Sequence, residues 1–169
     1  MKAHLSYVSL LLLVFTTITS EARTLTDYPS NNPPASLSLQ DLNGHTHKLK
    51  NYKGEVVLIN FWGSWCPPCV EELPSLQRLE NKLKYLGFTV LAVNVNQTRT
   101  SVSRFLKGLQ IDLTVLMDTS VKAAKAWGVD YYPTSFMVDK KGDIRFYVVG
   151  PIDWEQEEVV AQIRKLLNE

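Results

Sequence analysis

The sequence predicts an α/β domain: a mixed sheet flanked by helices, with an N-terminal β-hairpin ahead of it and an inserted αβ element within it. Three observations lead there. Residues 56–61 and 88–95 are dense β-branched and apolar runs, the pattern of strands buried on both faces. Each run is followed by apolar residues at helical spacing. These are Leu73, Leu76, Leu79, Leu83 and Leu86 after the first, and Val102, Phe105, Leu106 and Leu109 after the second. The chain then closes with two strands around a turn at 139–143 and a last amphipathic helix, an antiparallel ββα ending.

Length and composition set the frame. The 169 residues suffice for one domain and a short N-terminal segment. With 45% hydrophobic and 21% charged residues the composition is that of a globular protein, and a net charge of +1 gives no reason to expect nucleic acid as a partner. Residues 1–22 have the make-up of an export signal. Lys2 opens them, an apolar stretch fills 5–18, and Ser20-Glu21-Ala22 supplies small residues for cleavage. Uncleaved, the same segment would be a membrane anchor. No Cys follows the apolar stretch, which excludes a bacterial lipoprotein. Either way the domain faces an extracytoplasmic space where disulfides persist, and a bacterial periplasm fits best. Residues 23–35 carry Pro29, Pro33 and Pro34 and are expected as a linker without a core, leaving 36–169 as the domain.

The remaining elements follow in order. Alternation at Leu37 and Leu39, the Asn43-Gly44 turn and a return strand over 45–49 predict the hairpin. His45 and His47 share one of its faces, and an exposed hairpin face accounts for them better than a metal-ligand pair. Pro74 falls inside the first helix and is expected to kink it. Residues 113–117 read as a short strand. Asp118 then caps a helix over 119–127, which Gly128 ends. A strand follows Pro133, its partner spans 144–149, and Asp153 with Gln156 forms a capping box for the final helix. Val159, Val160, Ile163, Leu166 and Leu167 are that helix's buried face.

The chemistry concentrates in Trp62-Gly63-Ser64-Trp65-Cys66-Pro67-Pro68-Cys69. Cys66 stands where a buried strand turns into a helix. Free N–H groups and the positive end of the helix dipole there favour the thiolate, the nucleophilic form. Cys69 lies one turn on, within reach of a disulfide with Cys66. Pro67 and Pro68 are tolerated because first-turn N–H groups have no intrahelical acceptor to lose, and they stiffen the loop between the sulfurs. Haem attachment would need His at position 70, which is Val70. A zinc site would need two ligands beyond these thiols; the chain has no second Cys pair, and His45 and His47 could complete the set only by folding across from the distant hairpin. A structural bridge closing so short a loop removes little unfolded-state entropy. Redox chemistry is the reading that remains strongest. Glu72 lies on the motif's side of the helix, where partial burial would raise its pKa toward neutrality; its neighbour Glu71 suits an ordinary solvent-facing first-turn role.

These residues, with Glu72 and Pro74 after them, resemble the TlpA/ResA/CcmG group of exported thioredoxin-like proteins across roughly residues 36–165. The resemblance implies a thioredoxin fold with that group's hairpin and αβ insertion. It implies that Glu72 serves as the acid, because Asn60 stands where cytosolic thioredoxins place a buried Asp. It implies a cis Pro133 beside the sulfurs, with Tyr132 presenting backbone to an extended client. Cys66 would attack a client disulfide and Cys69 would resolve the mixed disulfide. Trp62 and Trp65 would frame an apolar rim, with Pro67 and Pro68, against the incoming chain. A membrane-embedded thiol donor would supply electrons, apocytochrome c is the group's typical client, and no metal or organic cofactor is needed. A monomer is expected. Three alternatives are a disulfide-forming oxidase, a peroxide-reducing redoxin and a binding module with a structural disulfide. The peroxidatic pattern of Pro and Thr shortly before the reactive Cys is missing here.

Overall fold

The computed structural model describes residues 24–29 and 36–169. The expected export signal, or anchor, over 1–22 and most of the 23–35 segment lie outside them. No helix among the described residues is long and apolar enough to cross a membrane.

Six strands form one mixed sheet. They are β1 (Thr26–Asp27), β4 (Val56–Trp62), β5 (Phe88–Val95), β6 (Thr114–Asp118), β7 (Thr134–Val138) and β8 (Ile144–Val149), in the order β1-β8-β7-β4-β5-β6. β4 runs parallel to β5 and β5 to β6, while β7 and β8 are antiparallel additions on the other side of β4. The hairpin strands β2 (Ser38–Gln40) and β3 (Thr46–Lys48) pair in a separate two-stranded sheet, joined to the main sheet by a bridge from Asp41 to Leu116.

All seven residues of β4 are buried, and strand alternation sorts them to two faces. Val56, Leu58 and Trp62 join the core beneath the helices α1 (Pro67–Leu83), α2 (Arg99–Leu109) and α4 (Glu157–Leu167). Val57, Ile59 and Phe61 join the core on the far face, with Leu37 of the hairpin segment and Ala124 of α3 (Lys122–Ala126). α1 passes through Pro74 as one helix. Both faces of the sheet are therefore covered, as a parallel strand pair requires.

The segment expected as a coreless linker is instead partly docked. Thr26 pairs with Tyr147 and Asp27 with Phe146, Leu25 is 5% exposed, and Gln162 of α4 donates to the Leu25 carbonyl at 3.2 Å. Tyr28 adds edge-to-face contacts with Phe136 and Tyr147. Two local expectations also change. α3 begins at Lys122 rather than 119, because Val121 is left-handed (φ 62°); Asp118 still holds the helix start, accepting the Ala124 N–H at 2.8 Å. α4 starts after Gln156, which makes no side-chain cap, and Asp153 accepts from the Glu155 N–H before the helix begins.

Docking of Leu25 carries a stability consequence. Leu25→Ala is expected to lower the unfolding free energy by about 2 kcal/mol in urea denaturation. An unchanged midpoint would mean that residues 24–29 leave the sheet in solution.

Candidate active site

The end of β4 fixes the place of the sulfurs. Buried Gly63 leaves the strand, the Cys66 N–H donates to the Gly63 carbonyl at 3.1 Å, and Cys66 becomes the extended N-cap of α1 (φ −110°). Pro67 and Pro68 occupy the first helical positions, Pro67 exposed and Pro68 half-buried. Cys66 and Cys69 are joined as a disulfide with Cα atoms 5.3 Å apart. Cys66 keeps 6% of its surface and Cys69 none, so Cys66 is the sulfur that an outside group meets first.

Around the sulfurs, the Trp65 indole is half-exposed and stands edge-on to Tyr132, ring centroids 5.2 Å apart. It lies back over the backbone of Gly63, where a Cβ would come within 2.4 Å of the ring, so only glycine fits there. The Tyr132–Pro133 peptide is cis, and Pro133 is buried, its carbonyl accepting the Gly150 N–H at 2.8 Å. Trp62 does not belong to this rim. It is 0% exposed and packs against Phe105 of α2 at 6.2 Å between ring centroids. The even-numbered face of β4 points under the helices, and that takes Trp62 into the core.

Glu72 sits below the sulfurs with 5% of its surface exposed. Asn60 Nδ2 donates to its Oε1 at 2.7 Å, and the Ile152 N–H approaches Oε2 at 3.4 Å. Burial pushes its pKa up to about 7. The Asn60 amide and the Ile152 N–H pull the other way, and the Trp154 indole N–H does so weakly, without forming a regular hydrogen bond. No charged side chain figures among these influences. An open pocket of about 460 Å³ is bordered by Pro68, Glu71, Glu72, Ser75 and Ile152. Glu71 itself is exposed.

Two polar groups at the site escaped the sequence reading. Asn60 Nδ2 also donates to Ser135 Oγ at 2.9 Å, tying α1 through β4 to β7. Gln97, after β5, accepts the Ser64 N–H at 2.8 Å and donates to Ser64 Oγ at 2.7 Å. Ser135 follows Pro133 closely enough to have drawn notice; a glutamine thirty residues from the motif carries no local signal. Of the hairpin histidines, His45 is exposed as expected and His47 is not. His47 is half-buried, with Nε2 3.1 Å from Asp41 Oδ2 and Nδ1 2.6 Å from the Tyr52 hydroxyl, while exposed His45 lies 3.4 Å from the same Asp41 oxygen. Burial raises the Asp41 pKa, but hydrogen bonds from His47 and from the His45 and Asn43 N–H groups outweigh it and hold it at about 2. Among the described residues no group of three His, Cys, Asp or Glu side chains is arranged to hold a metal ion.

A cysteine pair at a helix N-terminus, beside a cis proline on a mixed sheet, defines a thiol–disulfide oxidoreductase of thioredoxin fold. Comparison with known proteins agrees. Residues 28–163 match the Redoxin family, and the chain belongs to that family, among its ResA-type thiol–disulfide oxidoreductases. It is 36% identical over 120 residues to the thiol-disulfide oxidoreductase ResA of Geobacillus kaustophilus, covering 71% of this chain and 69% of that one. A protein of Chlorobium tepidum described as a thiol:disulfide interchange protein DsbE superposes with TM-score 0.75 at 30% identity, covering 82% of this chain and 98% of that one. StoA of Bacillus subtilis gives TM-score 0.65 at 26% identity, covering 83% and 100%.

Buried Glu72 makes stability depend on pH. Its folded pKa of about 7 exceeds the ordinary 4.5, so between those values the folded state holds a proton that the unfolded state has lost. The contribution is fully present below pH 4.5 and is lost as pH rises through 7, with a total on the order of 3 kcal/mol. The oxidised protein is therefore expected to lose stability from pH 5 to pH 8, and Glu72→Gln to flatten that slope, as read by denaturation at each pH. An unaltered slope in the variant would place the titrating group elsewhere.

Proposed function

We propose that this enzyme is an extracytoplasmic disulfide reductase, exported by its first 22 or so residues, which are either cleaved or kept as an anchor. The observation that carries the reading is the Cys66–Cys69 pair at the start of α1 with a buried carboxyl of near-neutral pKa beneath it. In the reduced enzyme the Cys66 thiolate attacks one sulfur of a client disulfide. The client disulfide breaks, its second sulfur leaves as a thiolate and takes a proton, and a Cys66–client bond forms. Cys69, deprotonated by Glu72, then attacks Cys66 Sγ. The Cys66–Cys69 disulfide forms, and the first client sulfur leaves as a thiol. Two electrons have passed to the client, with one proton from Cys69 by way of Glu72 and one from water. A membrane-embedded thiol donor resets the pair.

Trp65, Tyr132 and Pro133 form the surface against which the client chain lies, with Pro67 and Pro68 at its margin. Tyr132 offers main-chain pairing to an extended segment. The oxidised haem-binding Cys pair of apocytochrome c suits such a site, being exposed and extended. The domain acts as a monomer, and its chemistry needs no metal or organic cofactor.

Three measurements test the proposal. Equilibrated against thiol buffers, the Cys66–Cys69 pair is expected at about −250 mV or below; a value near about −120 mV would make the enzyme an oxidant. Cys69→Ser is expected to accumulate Cys66-linked mixed disulfides with clients, and Cys66→Ser to accumulate none. Retained biological activity in the double Cys→Ser variant would show a binding module instead.

A further inference from the structure

The geometry assigns Gln97 a role in the exchange reaction: we infer that it is a positioning residue that clamps Ser64 and so sets the orientation and acidity of Cys66. The clamp has two teeth. Gln97 Oε1 accepts the Ser64 N–H at 2.8 Å, and Gln97 Nε2 donates to Ser64 Oγ at 2.7 Å. The clamp is itself held, because Asn94 Nδ2 donates to the same Oε1 at 2.9 Å, and Asn94 is wholly buried at the end of β5. Its backbone is held too, since Asn96 takes a left-handed conformation (φ 57°) and its N–H donates to the Asp118 carbonyl at 3.1 Å.

Ser64 lies in the four-residue turn between β4 and α1. That turn is closed by the Cys66 N–H on the Gly63 carbonyl and covered by the Trp65 ring on Gly63. Neither contact reaches beyond the turn. The Gln97 side chain is the polar tie from the turn to the next strand of the sheet. The thiolate of Cys66 depends on the N–H groups and dipole at the helix start, and this dependence falls off steeply with distance and angle. A turn free to shift lets the sulfur drift from that field. The groups facing this end of α1 are few. Glu71 and Glu72 lie on α1 itself, Tyr132 packs on Trp65 with Asp118 and Asp130 near it, and Arg78, Asp153 and Glu155 border the pocket that Glu72 lines. None of them touches Gln97 or Ser64 in a hydrogen bond.

The inference rests on Cys66 being the attacking thiol, and the test separates the two. In the Cys69→Ser protein, the rate of Cys66 alkylation by iodoacetamide is followed against pH, and exchange of the Ser64 amide hydrogen by NMR. A midpoint well below that of a free thiol, about 8.5, supports Cys66 as the nucleophile; an ordinary midpoint removes that support, whatever Gln97 does. Gln97→Met keeps the length of the side chain and loses both hydrogen bonds. It is expected to raise the alkylation midpoint by about 0.5 pH unit, to slow alkylation about threefold at pH values a unit or more below the midpoint, and to speed Ser64 amide exchange at least tenfold. Ser64→Ala, which loses one contact, is expected to move the midpoint less. Adding Gln97→Met to it is expected to give less than the sum of the two shifts. A merely structural contact would speed exchange and leave the midpoint in place; that result overturns the inference, as does an unchanged exchange rate or strict additivity.

Discussion

One constraint governs the molecule: β4 has no free side. It is hydrogen-bonded to β5 and β7, and both its faces are covered by core. A strand so enclosed cannot slip, since a shift of one residue would exchange every side chain between the faces. Its last residue is therefore fixed in space, and the turn after it must deliver Cys66 to the head of α1. The position of the sulfurs is a consequence of the burial of the seven residues ahead of them.

The same strand decides which neighbours the sulfurs have. Asn60 shares a face with Val56, Leu58 and Trp62, and its amide is thereby brought against Glu72. A carboxyl in such a place is neither a firm anion nor a firm acid. Burial disfavours its charge, and the Asn60 and Ile152 N–H groups restore part of it. The site thus sets burial against hydrogen bonding, and burial prevails far enough to bring the carboxyl into the neutral range.

Much of this was legible in the chain. Residues 56–61, the helix after them and the cysteine pair announce themselves because their signals are local: a dense apolar run, a helical period, a spacing of three. Pro133 stands out only through the family resemblance that the motif carries. Spacing puts Glu72 on the motif's side of the helix, one turn beyond Cys69, but the role expected of it comes from the resemblance. What was not legible depends on distant partners. Trp62 looks like a rim residue beside Trp65, and only the count along β4 sends it inward. Thr26–Asp27 is too short to show a strand pattern; it pairs because β8 offers an open edge more than a hundred residues later. Gln97 sits in a polar run that reads as a plain loop, and its value comes from where β5 ends beside β4. Val121 adopts a left-handed turn that no β-branched residue advertises, so α3 is shorter than its composition suggests.

The docking of Leu25 bears on how far the enzyme can reach. Were residues 23–35 a free leash, an extended chain would give a membrane-held domain a radius of some 45 Å, at about 3.5 Å per residue. With Leu25 pinned against α4 and Thr26–Asp27 laid along β8, almost none of that slack survives. A domain held by its N-terminus would then sit close to the bilayer with its orientation restricted. Under the proposed anchoring, its working range would be the membrane surface and not the volume beyond it.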